Sequence, residues 1–202
     1  MEIEVKLRLP TPAAHASLTA LLAPSLLATH HQNNLFFDTA SSHLLSRRSV
    51  LRLRFYNPDR CVVSLKGKAV IKHGVSRVEE DEEEIELDVG RQIIHDPNQI
   101  WGVENRVLER VRGREFGVGE GERWVCLGGF ENVRRVYRWN GLRLEVDETG
   151  FEFGTLYEVE CESEDPERAK GLIEGFLREK GIGYDYSVMS KFAIFRAGKL
   201  PE

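Results

Sequence analysis

The sequence predicts an α+β or β-barrel protein of one domain, in which antiparallel strands outnumber helices. Three observations support this prediction. Charged and apolar residues alternate with a period of two in several short segments. Tight-turn signals join neighbouring segments, as in antiparallel sheets. Two longer segments carry helix caps and one apolar face. The chain of 202 residues suits one core, so we expect a single domain over residues 1–202.

The first half of the chain begins with a strand, EIEVKLRL, and continues into a helix. Thr11 is placed to cap that helix, and Pro12 suits its first position. Further strands are then expected, with a turn at NPDR; they are NNLFFDT (33–39), VLRLRFY (50–56) and CVVSLKGK (61–68).

The second half begins with an acidic extended segment, SRVEEDEEEIELDV (76–89). DPNQIWGVENRVLERVR is predicted as one helix capped by Asp96, and REFGVGEGER as a loop. Strands follow at 124–130, 132–140, 141–149 and 155–163, with a hairpin turn at WNGL. A second capped helix, from Asp165 to a stop at Gly181, precedes the short apolar segment SVMSKFAIF.

Composition excludes several classes of protein. The net charge of −5 argues against bulk attraction to nucleic acid or to an anionic membrane. No apolar run reaches membrane-spanning length, and the N-terminus lacks the apolar run of a signal peptide. Cys61, Cys126 and Cys161 show neither disulfide nor zinc spacing, and we expect three buried, inert thiols. We therefore expect a cytoplasmic monomer without nucleic-acid or membrane partners.

The charged faces of the strands are sorted by sign. Acids concentrate at Glu2/Glu4, Glu145/Asp147 and Glu158/Glu160, and bases at Arg52/Arg54 and Lys66. The simple interpretation is a sheet with one face in water. However, the helices need an apolar surface to cover, and the apolar strand faces supply it. In a closed sheet the charges would then face a lumen, the reverse of an ordinary small barrel.

A lumen with both signs of charge is costly unless a ligand binds there, since desolvating an uncompensated ion is expensive. Carboxylate clusters favour hard divalent cations such as Mg²⁺ or Mn²⁺. Arginine and lysine side chains bind phosphate oxygens. The pattern therefore points to a small polyphosphate bound with a divalent metal.

The N-terminal Glu2-Ile3-Glu4-Val5-Lys6 is similar to the ExExK motif of the triphosphate tunnel metalloenzymes, the CYTH superfamily. The ordered set LRLR, SLKGK, NVRRVY, LEVDE, YEVE and SKFAIF extends the resemblance over the whole chain. SRVEEDEEEIEL and VCLGGFENVRRVYRW look closest to the short plant members, which resemble inorganic tripolyphosphatases. The resemblance implies an eight-stranded antiparallel β-barrel, or tunnel, with helices packed outside. It also implies metal-dependent triphosphate hydrolysis.

The resemblance also implies a set of site residues. The expected catalytic residues are Glu2, Glu4, Lys6 and Glu160. The expected substrate-binding residues are Lys6, Arg52, Arg54, Lys66, Arg134, Glu145, Lys191 and Arg77. The expected metal ligands are Glu2, Glu4, Glu145, Asp147, Glu158 and Glu160. Register leaves one point open, because Arg77 and Glu79 face inward in a regular strand, whereas a bulge would present Glu80 instead.

The predicted function is hydrolysis of inorganic tripolyphosphate to diphosphate and phosphate. In this hypothesis one metal ion orients the substrate on the carboxylates, while a second ion or a carboxylate activates water. The bases neutralise the developing charge, and Lys6 either binds phosphate or positions the water. Thiamine triphosphatase or nucleoside triphosphatase activity ranks second, and adenylate cyclase activity third. A polyphosphate- or RNA-binding module is the non-enzymatic alternative, against which the carboxylates argue.

Overall fold

The structure of this chain is a computed structural model that describes residues 1–56, 59–113 and 115–201. The chain forms two compact units. Unit 1 comprises Met1–His31, Ala69–Val78 and Glu131–Glu202, and unit 2 comprises Gln32–Lys68 and Glu79–Phe130. The single domain expected over residues 1–202 stays a prediction.

The strands pair antiparallel wherever their register is described. Their bounds are β1 (Glu2–Leu9), β2 (Leu26–Thr39), β3 (Val50–Tyr56), β4 (Arg60–Lys66), β5 (Val70–Lys72), β6 (Val75–Val78), β7 (Glu80–Ile85), β8 (Trp124–Trp139), β9 (Leu142–Phe151), β10 (Gly154–Glu162) and β11 (Asp185–Tyr186).

The helices are mostly short and lie between the strands in sequence. They are α1 (Pro12–Leu22), α2 (His43–Ser46), α3 (Leu87–His95), α4 (Arg106–Arg112), α5 (Pro166–Glu179) and α6 (Lys191–Ala197), with 3₁₀ turns at Ala23–Ser25 and Pro97–Trp101. Among the described residues, no helix is long and apolar enough to cross a membrane.

In unit 1 the strands follow the order β5-β6-β1-β10-β9-β8, and β11 pairs with β1. One face of this sheet is apolar, because every second residue of the central strands is aliphatic. Val5, Leu7 and Val159 on that face pack with Leu18 of α1 and Ile173 of α5 in one buried core. The helices therefore cover the apolar face, and the charged side chains point the other way.

In unit 2 the order is β2-β3-β4-β7, with the same division of faces. Leu51, Leu53 and Val63 pack in one buried core with Ile93 of α3 and Val107 of α4. The opposite face carries the arginines of LRLR. Each unit thus has helices on its apolar strand face and charges on the other, as the sequence predicts.

Two helix predictions need correction. The segment predicted as one helix from Asp96 divides into a 3₁₀ turn and α4, because Asn105 begins a new helix by accepting a hydrogen bond from the Leu108 amide at 3.1 Å. The acidic segment ends as a strand at Ile85, and residues 87–95 form α3. Leu87 and Val89 continue the alternation of Ile85, so the period-two pattern hid this helix.

Other local predictions are confirmed. Thr11 caps α1 by accepting from the Ala14 amide at 3.1 Å. Asn140 and Gly141 have positive φ angles of 50° and 78°, as the predicted hairpin turn requires. Asn57 and Pro58 of the predicted NPDR turn, and Arg114 at the start of the predicted loop, lie outside the described residues.

The three thiols differ in environment, so the expectation that all are buried is wrong for Cys126, which is exposed on β8. Burial raises the pKa of Cys61 to about 12 and that of Cys161 to about 11. We expect one thiol of the native protein to react rapidly with Ellman's reagent at pH 8, and three after unfolding. The rapid phase should vanish in Cys126→Ser, and its persistence would contradict this assignment.

Candidate functional site

The charged face of unit 1 brings together residues from β1, β8, β9, β10 and α6. Antiparallel register places Lys6 opposite Glu160, and Glu160 opposite Glu145. Two residues earlier on β10, Glu158 lies opposite Asp147 of β9, and Asp147 lies opposite Arg134 of β8. Directly opposed residues share a face, so the strand pairing itself assembles these side chains. The unit 1 charge cluster consists of Glu4, Lys6, Arg134, Glu145, Asp147, Glu158, Glu160 and Lys191.

Lys6 lies inside this cluster and is 6% exposed. Its ammonium donates a hydrogen bond to Glu160 and lies 3.3 Å from Glu4 Oε1. Burial alone would favour the neutral amine, but the surrounding carboxylates outweigh it and raise the pKa of Lys6 well above its ordinary value. Lys6 therefore contributes a fixed positive charge.

Arg134 contacts three carboxylates with one guanidinium. Its Nε and Nη2 donate to the two oxygens of Asp147 at 2.8 and 2.6 Å, a bidentate pair. Nη2 also donates to Glu160 at 2.7 Å, and Nη1 donates to Glu145. Burial opposes ionisation of Asp147, yet Arg134 and Lys191 hold its pKa well below its usual range.

Lys191 reaches the same carboxylates from the first residue of α6. Ser190 caps this helix by accepting from the Ala193 amide, which fixes where α6 begins. The Lys191 ammonium lies 2.8 Å from both Asp147 Oδ2 and Glu158 Oε2, and it donates to Glu160. Burial opposes the charge, but these acids raise the pKa of Lys191.

Acid exceeds base in this cluster. Five carboxylates face three cations, so two formal negative charges remain in excess. Arg143 also lies 3.5 Å from Glu145, but its side chain is 62% exposed and its charge is screened by solvent. A buried excess of carboxylate fits a hard divalent cation in its donor chemistry. Within the described residues, however, no three His, Cys, Asp or Glu side chains are arranged to hold a metal ion. Lysine and arginine side chains contact the carboxylate oxygens of the cluster.

Two further residues of β1 extend the same face. Glu2 lies opposite Val78 of β6 and shares the face of Glu4, at the start of the strand. Arg8 lies opposite Glu158 in register, but its guanidinium turns to the C-terminal segment and donates to the Pro201 carbonyl at 2.9 Å. Arg8 thus tethers the segment that follows α6.

The charged face of unit 2, the basic face, carries Arg52, Arg54 and Lys66. Glu80 lies opposite Lys66 in register and binds two of these bases: its oxygens lie 3.2 Å from Arg52 Nη2 and 2.8 Å from Lys66 Nζ. Arg54 Nε donates to Asn34 Oδ1 at 2.8 Å. The structure therefore groups the predicted bases on one sheet face.

The prediction that Arg77 faces inward with Glu2 and Glu4 is wrong. Register places Arg77 opposite Ile3, on the other face of β1, where its side chain is exposed. The strand breaks at Glu79, between β6 and β7, and the pairing resumes with Glu80 on the basic face. The sequence left Glu79 and Glu80 as alternatives, and the structure selects Glu80.

Sequence reasoning did not identify Asn34 or Ser187 as site residues. Ser187 donates to Glu158 Oε1 at 2.5 Å, and Asn34 fixes Arg54. Asn34 alternates with Gln32 and Phe36 on one strand face, which was a readable signal. Ser187 lies in a short segment before α6, whose position no local pattern predicts.

Comparison with known proteins decides the family. The profile of the CYTH domain matches residues 1–189. The chain belongs to the CYTH family. No curated protein matches it. A solved structure of a Hippeastrum protein, described as an adenylyl cyclase with a dominant triphosphatase activity, is 54% identical and has a TM-score of 0.95. The match covers 100% of this chain and 98% of that one.

More distant solved structures share the fold alone. A Bacillus halodurans protein described as an adenylate cyclase is 18% identical, with a TM-score of 0.74 over 96% of this chain and 97% of its own. A Pyrococcus horikoshii protein is 16% identical, with a TM-score of 0.62 over 96% and 99%. The predicted fold class, the antiparallel tunnel fold with outer helices, is confirmed, although the described residues form eleven strands instead of the eight predicted.

Proposed function

We propose that this CYTH protein hydrolyses a triphosphate, with inorganic tripolyphosphate as the substrate and diphosphate and phosphate as the products. The observation that carries the proposal is the unit 1 charge cluster, where one buried and two partly buried cations share one sheet face with five carboxylates, three of them buried. Family membership and the triphosphatase activity of the 54% identical Hippeastrum protein support it.

The acids are proposed to hold a divalent cation, Mg²⁺ or Mn²⁺. The candidate ligands are Glu2, Glu4, Glu145, Asp147, Glu158 and Glu160. When bound, such an ion supplies Lewis acidity and charge neutralisation at phosphoryl oxygens. Glu160 contacts Lys6, Arg134 and Lys191 at once, so it holds the three cations in one place while leaving each a donor for other acceptors.

The cations are proposed to bind the phosphates and to stabilise charge on the transferred group. In unit 1, Lys6 does this from a buried position, and Arg134 and Lys191 from partly buried ones, where an ion pair is stronger than in water. In unit 2, Arg52 and Lys66 share Glu80, a carboxylate that a phosphate group can replace as their partner.

A substrate panel tests this proposal. Phosphate release from tripolyphosphate, thiamine triphosphate and ATP is measured with Mg²⁺, with Mn²⁺ and with EDTA. We expect the highest kcat/KM on tripolyphosphate and no release in EDTA. Activity that survives EDTA would contradict the role of the metal. Binding of tripolyphosphate without turnover under every condition would favour a polyphosphate-binding module instead.

The tryptophans bear on the alternative substrates. A thiamine or adenine group would require an aromatic or apolar platform. Trp124 is buried in the unit 2 core, and Trp101 packs against that core. Trp139 packs on Phe176 of α5, with ring centroids 4.7 Å apart. All three are used in packing against helices, which favours a substrate without a large organic group.

A cytoplasmic location and a monomeric state remain part of the proposal.

A further inference from the structure

Two buried polar side chains on the basic face of unit 2 each carry a group that has no hydrogen-bond partner among the described residues. Asn34 and Ser64 are both 0% exposed. Among the described residues, neither Asn34 Nδ2 nor Ser64 Oγ has a hydrogen-bond partner. Buried polar groups are nearly always paired, because an unpaired one loses its bonds to water without compensation. Two such groups on one sheet face therefore require an explanation.

The orientation of the Asn34 amide follows from its neighbour. Arg54 lies directly opposite Asn34 in register, and its Nε donates to Asn34 Oδ1 at 2.8 Å. Arginine has no acceptor, so the oxygen must be the end that faces it. The Asn34 NH₂ group is therefore the end for which the described residues offer no partner, and it can only donate.

Like Asn34, Ser64 lies directly opposite an arginine of β3, but from β4 on the other side of that strand. It lies opposite Arg52 of β3 on one side and opposite Glu82 of β7 on the other. Lys66 follows two residues later on the same face. The Ser64 hydroxyl thus stands among the bases that are proposed to bind phosphate, with its proton free to turn toward an added acceptor.

We propose that Asn34 and Ser64 are substrate-binding residues that donate uncharged hydrogen bonds to phosphoryl oxygens of the bound polyphosphate. The inference rests on the proposed function. A polyphosphate presents many acceptors and, when ionised, no donors, so it matches two donors that lack acceptors. The charged bases supply neutralisation, while the amide and the hydroxyl fix the position of individual oxygens by directed bonds. Asn34 has a second role, because it holds the Arg54 fork in place.

Ser64→Ala separates this role from a structural one, because the two predict opposite effects on the free protein. Removing an unsatisfied buried hydroxyl should leave the melting temperature of the free protein unchanged or raise it. The same change should weaken binding of a hydrolysis-resistant, methylene-bridged tripolyphosphate by about tenfold, as expected for a lost hydrogen bond to a charged acceptor. Isothermal titration calorimetry in Mg²⁺ measures the binding.

Ser49→Ala is the matched control. Ser49 is a buried serine of the same unit, but its hydroxyl lies 3.5 Å from the Arg47 carbonyl, and it precedes β3. We expect unchanged affinity in this variant. Equal affinity of Ser64→Ala and wild type would overturn the inference for Ser64. A lower melting temperature of free Ser64→Ala would also overturn it, since it would show a structural partner such as a bridging water.

Asn34→Asp tests the second donor. It keeps an oxygen for Arg54 and replaces only the NH₂ group, so the arginine stays positioned. Gln32→Glu is its charge control, because Gln32 is buried two residues earlier on the same strand face. We expect Asn34→Asp to weaken binding of the analogue at least tenfold more than Gln32→Glu does, a difference that exceeds added charge alone. Equal losses in the two variants would overturn the donor role of Asn34.

Wild type separates failure of this inference from failure of the proposed function. If wild type binds the analogue and hydrolyses tripolyphosphate while the Ser64 and Asn34 variants match their controls, only the present inference fails. If wild type neither binds the analogue nor hydrolyses any triphosphate, the proposed function fails, and the donor roles of Asn34 and Ser64 fail with it.

Discussion

Replacing Glu160 by glutamine is expected to lower kcat on tripolyphosphate by about 10³-fold, the loss seen when a preorganised electrostatic contact is removed from an active site. Glu160 contacts all three cations of the unit 1 charge cluster and is a proposed metal ligand. Glutamine keeps the shape and one acceptor oxygen but removes the negative charge. The cluster then loses a charged metal ligand and the carboxylate that contacts all three of its cations.

Phosphate release and calorimetric binding, measured together, distinguish lost chemistry from lost folding. Measured in EDTA, removal of one negative charge should leave affinity for the methylene-bridged analogue equal or higher, while turnover in Mg²⁺ falls. Glu162→Gln is the matched control, because Glu162 lies two residues further along β10 and is exposed. Its kcat should stay within about twofold of wild type, as for a surface substitution. Full activity of Glu160→Gln would refute a catalytic role for this carboxylate.

Strand alternation made the central part of the site predictable. In a segment that alternates with period two, the face of one residue fixes the face of all the others. Glu158 and Glu160 therefore had to lie on the strand face that Val159 and Cys161 do not occupy. The apolar runs also required covering helices, which placed charges on the remaining face. Lys6, Glu160 and Glu145 then met because their strands are neighbours.

Irregular geometry was not predictable in the same way. Glu80 depends on the break at Glu79, where one residue changes the face of everything after it, whereas Arg77 depends on the register of β6 with β1. The α3 helix was missed because Leu87 and Val89 continue the alternation of the strand that precedes them. A Cβ at Gly90 would lie 2.8 Å from Cys61 Sγ, so glycine permits the close approach of α3 to β4.

Contacts between distant segments also escaped the sequence. Asn34 and Arg54 are 20 residues apart, and Ser187 and Glu158 are 29 apart. Polar residues of this kind are common in any chain, and only strand order and register bring a particular pair together. The prediction of charge type at each strand therefore succeeded better than the prediction of individual partners.

Arg134→Gln is expected to have the largest effect on stability, lowering the free energy of unfolding by about 3–5 kcal/mol in EDTA. The guanidinium contacts Asp147, Glu145 and Glu160, and Asp147 is 0% exposed. Without it, buried carboxylates lose their main partner and repel one another. Chemical denaturation monitored by circular dichroism measures the loss.

Mg²⁺ is expected to act differently on this variant and on wild type. If the cluster is a site for a divalent cation, then removing a competing positive charge raises its affinity for the ion. Mg²⁺ should therefore restore part of the lost stability of Arg134→Gln and stabilise wild type less, because ligand binding to the native state adds to its stability.

Arg138→Gln is the matched control, since Arg138 is an exposed arginine four residues along β8. It should change stability by less than about 0.5 kcal/mol and respond to Mg²⁺ as wild type does. Equal Mg²⁺ responses in all three proteins would contradict a metal site at these carboxylates while leaving the ion-pair network intact.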